Sequence, residues 1–230
     1  MKPDRFVQNK QKIPSFKKME SLKNKKMSDK KSILPLIGAK LYHIFNRGNN
    51  YEKIFFNDEN YYFFLRRFQY YLNDYLDTYS YCLLPNHFHL LVRIKDSIFK
   101  KDGILRTTDE NEIGKLCIQQ LRRFFISYSM AINKQENRSG SLFLKNFKRI
   151  EIDDEKYLKY LLFYIHFNPE KHSLINDFKQ YDFSSYKSIL SSTDTKLMRN
   201  DILNNLLNDK QEFIEFHNYN HSEKQIEKYI

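Results

Sequence analysis

The chain has 230 residues and a formal net charge of +11, with 17 Tyr and 20 Phe but only 5 Gly. That length suits one domain with extensions, and no GxGxxG or GxxxxGK[ST] pattern occurs, which argues against a glycine-cradled phosphate site. Cys82 and Cys117 match no zinc spacing and read as buried thiols of a reducing cytoplasm, and no apolar run approaches a membrane span or a signal peptide.

Most of the charge lies at one end. Residues 1–31 hold eleven Lys/Arg against three Asp/Glu, which is +8 of the +11. Residues 1–35 lack sustained periodicity and read as a basic, disordered arm. Such an arm suits polyanion binding, because each neutralised phosphate releases counterions; a merely solvated leader has the same composition. From Gly38 the texture changes. Lys40–Phe45 reads as a strand, Asn46-Arg47-Gly48-Asn49-Asn50 as a loop, and Asp58 as a cap before a helix over Tyr61–Leu72. Thr78–Leu83 predicts a second strand, joined by a tight Pro85-Asn86 link to a third over His87–Ile94.

A polar loop around Lys100–Asp109 precedes a helix over Glu112–Ile132, and Leu142–Ile152 predicts a fourth strand. Asp153-Asp154 can cap a helix from Glu155 to about Phe167, stopped by Pro169. The order β-α-β-β-α-β is that of an α+β, ferredoxin-like domain: an antiparallel sheet with two helices on one face and the other face open for a site. We assign residues 36–190 to this domain and 191–230 to a helical extension, its polar helix over Asp201–Tyr229.

The chemistry concentrates in Leu84-Pro85-Asn86-His87-Phe88-His89-Leu90-Leu91-Val92. Strand alternation projects His87 and His89 side by side from one face, while Phe88, Leu90, Val92 and Ile94 point toward a core. Neutral imidazoles so paired suit a divalent metal; the other reading of the pair is two histidines on a solvated strand face. On the helix before Pro169, Tyr164 and Asn168 are four residues apart and share a face. If that helix lies near the histidines, Asn168 offers a third, oxygen ligand and Tyr164 brings its phenol beside the metal. Two imidazoles and a hard oxygen suit Mg²⁺ or Mn²⁺. A metal polarises a phosphate oxygen, and a tyrosine attacking phosphorus splits one transfer into two through a covalent intermediate. Taken alone Tyr164, one of 17 tyrosines, reads as a packing or surface residue, and only its register with Asn168 and the histidine pair singles it out.

Several segments in order resemble the single-tyrosine HUH transposases, most closely the REP-associated tyrosine transposases. They are Tyr42-His43-Ile44-Phe45-Asn46-Arg47-Gly48, Tyr81 through Leu91, Gly140-Ser141-Leu142-Phe143, Tyr164 through Pro169 and Phe183-Ser184-Ser185-Tyr186. The resemblance covers roughly residues 38–190 and rests on the ordered set rather than any one piece. It implies a ferredoxin-like fold, a metal pair at His87 and His89, a third ligand at Asn168, and Tyr164 as the nucleophile that forms a 5′-phosphotyrosine link. It further implies single-stranded, hairpin-forming DNA as partner and a prokaryotic, nucleoid-associated cytoplasmic protein, with a homodimer compatible. The arm, the extension and the glycine-free turn over 169–173 depart from the pattern.

A histidine-triad hydrolase needs a third alternating His where Leu91 stands, and a two-motif phosphoesterase needs a second His-x-Ser/Thr that none of the remaining histidines supplies. The rival reading is a non-catalytic single-stranded DNA or RNA-binding module on the same fold, stacking bases on sheet aromatics. Arg47, Arg93 and Lys145 are candidate phosphate contacts, with surface solvation as the alternative for each. His43 and His166 are candidates to carry a proton, or else core histidines.

Overall fold

A computed structural model gives the structure of the protein and describes residues 34–100, 102–191, 207 and 209–218. The expectation of a disordered arm, and most of that for the extension, fall outside the described residues. In chain order the elements are β1 (Leu41–Arg47), α1 (Asp58–Leu72), β2 (Leu76–Leu84), β3 (His87–Ile94), a small ribbon of β4 (Ile98–Phe99) and β5 (Leu105–Thr107), and α2 (Glu110–Gln135). There follow β6 (Lys148–Ile152), α3 (Glu155–Lys171), the short α4 (Tyr186–Leu190) and α5 (Lys210–Asn218).

The main sheet is antiparallel, in the order β2-β3-β1-β6. Apart from the ribbon, this is the β-α-β-β-α-β succession expected, and it places β1 and β3 at the centre. Alternation along the central strands divides the side chains between two faces. Ile44, Phe88, Leu90, Val92 and Ile94 are all buried, and Phe88 meets Phe64 of α1 with ring centroids 5.2 Å apart. Phe64 in turn packs edge-on against Phe124 of α2 at 4.9 Å, so α1 and α2 share this face. Helix α3 lies on the other face, against β2 and β3. The face left open by α1 and α2 is therefore the one α3 covers.

Helix α2 approaches the incoming chain so closely that a Cβ on Gly114 would sit 1.7 Å from the Leu36 carbonyl oxygen. Only a residue without a side chain fits there. Leu36 is buried as a result.

Element boundaries differ from the sequence reading for identifiable reasons. Asn46 and Arg47 belong to β1 rather than a loop, because they pair across the ladder with Phe88 and His87. The cap of α1 is Asn57, whose side chain accepts the Asn60 N–H, and Asp58 is the first helical residue. The strand expected from Leu142 begins only at Lys148. Its first half instead closes on the end of β1, with Phe143 bridging Gly48 and the Leu144 N–H donating to the Arg47 carbonyl.

Pro169 does not stop α3. The helix runs on to Lys171, because a proline this close to the end forfeits only one backbone hydrogen bond. The turn that follows holds Ser173 at φ 55°, a position helices more often give to glycine. Of the extension, α5 is no solvated polar helix: Phe213 and His217 are buried, and His217 Nε2 lies 2.9 Å from His166 Nδ1 on α3.

Candidate active site

On the α3 face of the sheet, His87 and His89 stand with ring centroids 5.3 Å apart. Tyr164 of α3 meets His89 edge-on at 5.5 Å. One turn along, Asn168 is fully buried, and its side-chain N–H donates to the Tyr164 carbonyl at 2.7 Å. Its Oδ1 has no hydrogen-bond partner. A buried amide oxygen left unpaired is costly, and this one is free to accept a further partner.

Hydrogen bonding fixes the state of His87 and ties that of His89 to His43. His87 Nδ1 lies 2.7 Å from Asn86 Oδ1, which can only accept, so the proton sits on Nδ1 and Nε2 is the bare nitrogen. His89 Nδ1 lies 2.9 Å from His43 Nε2. When His89 donates from Nδ1, its own Nε2 is likewise bare, and the proton of His43 moves to a buried Nδ1 without a partner. Burial holds His89 well below the ordinary histidine range and His87 at about 4, so both are neutral imidazoles rather than cations.

No group of three or more His, Cys, Asp or Glu side chains poised for a metal occurs among the described residues. A metal on this face would therefore take its third protein ligand from the Asn168 amide. Two neutral imidazoles and one orphaned amide oxygen fit a divalent ion that keeps water or phosphate oxygens in its remaining positions.

Tyr164 is 7% exposed, and burial pushes its phenol up to about 12, with the neighbouring Asn168 amide working the other way. The Lys171 ammonium lies 4.9 Å from the centre of the Tyr164 ring. His172 lies beside His87, centroids 5.0 Å apart. Lys171, His172 and Asn86 were not singled out by sequence reasoning. Asn86 stands within the quoted motif, and Lys171 and His172 are within four residues of Asn168, so proximity along the chain was the available signal.

The three candidate phosphate contacts are not brought together. Arg47 pairs in register with His87 and belongs to the site. Lys145 is exposed on the segment that closes against the Arg47 backbone through Leu144. Arg93, in contrast, is six residues along β3 from His87, roughly 20 Å at strand rise, and is paired with Asp96 at 3.5 Å.

Neither proposed proton carrier is open to solvent. His43 is buried behind His89 and held down to about 3 by desolvation. His166 is engaged at both ring nitrogens: Nε2 by Ser80 and Ser185 at 3.1 and 2.9 Å, Nδ1 by His217. Since His217 Nδ1 lies 2.8 Å from the Phe213 carbonyl and must donate to it, His217 Nε2 accepts from His166 Nδ1–H. His166 Nε2 then accepts from a serine hydroxyl. That chain of bonds is a structural clamp on α5.

Fold and site together define a ferredoxin-like domain bearing a paired-histidine centre faced by a helix-borne tyrosine. In the comparison with curated proteins, the chain is 28% identical over 113 residues to one from Haemophilus influenzae named "Putative REP-associated tyrosine transposase". The match covers 48% of this chain and 58% of that protein, so the chain spans less than two thirds of its relative's length. The likeness is to the same group as the motif resemblance. No family model matches the chain. Among solved structures, that of a REP-associated tyrosine transposase bound to a REP hairpin has a TM-score of 0.49 at 14% identity, covering 73% of this chain and 95% of its own. A bacterial tRNA(His) guanylyltransferase-like protein in complex with GTP has a TM-score of 0.41 at 11% identity, covering 69% and 73%. Both scores are under 0.5, and the fold stands on its own strand order and register.

Proposed function

We propose that the protein is a transposase: a metal-dependent single-stranded DNA transesterase that cleaves and rejoins DNA at hairpin or palindromic elements through a 5′-phosphotyrosine. One observation carries this most directly. The buried, unpartnered Asn168 Oδ1 lies on the same helix as Tyr164, whose ring meets His89. The likeness to a curated protein bearing a tyrosine transposase name supports the same reading.

Tyr164 Oη attacks phosphorus, forming the Oη–P bond as the P–O3′ bond breaks and the 3′-hydroxyl departs. A Mg²⁺ or Mn²⁺ held by His87, His89 and Asn168 would neutralise charge on the non-bridging oxygens. With its phenol raised to about 12, Tyr164 carries its proton at neutral pH, so nucleophile and proton loss are coupled. The nearby Lys171 ammonium favours the charge that develops on the phenol. With His43 Nε2 accepting from His89 Nδ1–H, His89 Nε2 is bare and can hold the metal. Attack by a second strand's 3′-hydroxyl, with Tyr164 as leaving group, reverses the first step and reseals DNA without ATP. Single-stranded DNA as partner and a place at the prokaryotic nucleoid follow from this activity.

The test is a single-stranded hairpin oligonucleotide incubated with the protein and Mg²⁺ or Mn²⁺. A covalent adduct is expected, absent in Tyr164→Phe, which removes only the attacking oxygen, and retained in Tyr160→Phe. An adduct mapped by mass spectrometry to another tyrosine overturns the assignment. Binding of single-stranded DNA or RNA with no adduct under any metal condition returns the protein to the non-catalytic reading.

A further inference from the structure

The loop after β1 carries a feature the chemistry above does not use. Asn50 and Tyr51 both adopt left-handed backbone, at φ 51° and 60°. Bulky side chains avoid this region, and such strain persists where the surroundings impose it, commonly at binding sites. The surroundings here do impose it. Asn86 donates from its side chain to the Tyr51 carbonyl at 3.4 Å, and the Ile54 and Phe55 N–H groups both donate to the Pro85 carbonyl, at 2.8 and 3.1 Å. The loop is thus bound to the Pro85-Asn86 turn that leads directly into His87.

The core gains nothing from this strain, because the Tyr51 side chain is not in it. Tyr51 is 69% exposed, and the Arg47 guanidinium lies 3.6 Å from the centre of its ring. Among the described residues Arg47 has no ion pair. An exposed aromatic ring backed by a cation, on a strained loop fastened next to the paired histidines, is built to receive another flat π-system. A nucleic acid base presents such a face whatever its sequence, and only an unpaired base has it free. Arg47 sits opposite His87 in the β1–β3 register, so the ring belongs to the same end of the sheet.

We propose that Tyr51, backed by Arg47, is a stacking platform for an unpaired base of single-stranded DNA flanking the phosphate addressed by Tyr164. This rests on the reading of the protein as a single-stranded DNA enzyme. It adds a base contact on the loop to the phosphate chemistry on the sheet. Arg47 acts through the ring as well as by its charge, so a lysine there is not equivalent.

The experiment measures equilibrium binding of the full chain, in EDTA, to a hairpin oligonucleotide with a single-stranded flank carrying 2-aminopurine at successive positions. A plain duplex of equal charge serves as control. Tyr51→Ala and Tyr51→Gly are expected to lose roughly 5- to 150-fold in affinity for the flanked hairpin, the range for one stacked base, with duplex binding unchanged. Tyr51→Trp and Tyr51→Phe retain affinity, and one 2-aminopurine position is quenched in the wild type but not in Tyr51→Gly. Glycine relieves the left-handed strain, so this variant keeps the fold while losing the ring. Wild-type affinity in Tyr51→Gly, or an equal loss on flanked hairpin and duplex, overturns the platform. Adduct formation by the wild-type protein with metal reports separately on the underlying reading; failure of the wild type to bind single-stranded DNA at all removes both.

Discussion

Replacing Gly48 with Ala tests whether the loop beside the histidines is held as rigidly as its contacts imply. Gly48 has φ −60° and ψ 144°, a conformation open to any residue, so backbone freedom is not why glycine is needed. On those dihedrals alone, Ala would stabilise the protein by about 0.4–1 kcal/mol through a less flexible unfolded chain. Space decides otherwise. A Cβ would lie 2.0 Å from the Glu52 carbonyl oxygen and 3.2 Å from Ile54 Cγ2. Ile54 is fully buried, and the Glu52 carboxylate is paired with Arg138 at 2.5 Å, so no flexible side-chain end can simply move aside.

The Glu52 carbonyl must retreat by about 1 Å or more, which strains the loop and endangers one of its hydrogen bonds. Together these cost about 2–4 kcal/mol. In a chain of this size that lowers Tm by roughly 5–15 °C. The displaced loop carries Tyr51, so affinity for a flanked hairpin should fall with it. Thermal melts followed by circular dichroism give the sign directly. A Gly48→Ala variant that melts at or above the wild-type temperature would refute the close-approach argument.

Further expectations follow from the same contacts. His87→Ala and His89→Ala should lose cleavage while keeping much of the DNA affinity, which comes from Lys and Arg; undiminished cleavage in EDTA rules out a metal role. In the metal-free protein, burial holds His43, His89 and His166 below the ordinary histidine range, so the unfolded chain takes up more protons than the folded one as pH falls through about 6.5. Stability is then complete above that pH and declines below it, by about 2 kcal/mol between pH 7 and 5 for an imidazole kept neutral throughout. Urea unfolding at both pH values measures this, and a flat profile contradicts it. Deleting residues 1–31, which carry +8 of the +11, should weaken DNA binding and flatten its dependence on salt; identical salt slopes mean the arm does not touch DNA.

Period-two alternation from His87 to Ile94 was enough to separate a histidine face from an apolar one, because one face of β3 is wholly committed to the core. The four-residue spacing of Tyr164 and Asn168 likewise survives any uncertainty in where α3 ends. Long-range packing was not legible. Nothing local indicates that Gly48 must avoid the Glu52 carbonyl, that Tyr51 takes a left-handed backbone, or that His43 lies behind His89, since each follows from contacts made only once the sheet is assembled. Asn46 and Arg47 read as loop because asparagine and glycine neighbours signal turns, yet ladder pairing with β3 outweighs that preference. His166 shows the reverse problem. Its place next to Tyr164 suggested chemistry, whereas a helix step of two residues turns it away to Ser80, Ser185 and His217.

The clamp between His166 and His217 also orders events in time. The two residues are 51 positions apart, and α5 completes the burial of an imidazole that belongs to the same helix as Tyr164. At a synthesis rate of about 5–20 residues per second, the ribosome emits His166 roughly 3–10 s before His217. During that interval α3 lacks the partner that closes its back, and a buried imidazole stands with one nitrogen unanswered. The sheet can assemble around β1 and β3 while the chain is still growing. The helix bearing Tyr164 reaches its final seating only after translation has passed α5, so a truncated product ending before Lys210 would carry every residue of the centre without the full support of that helix.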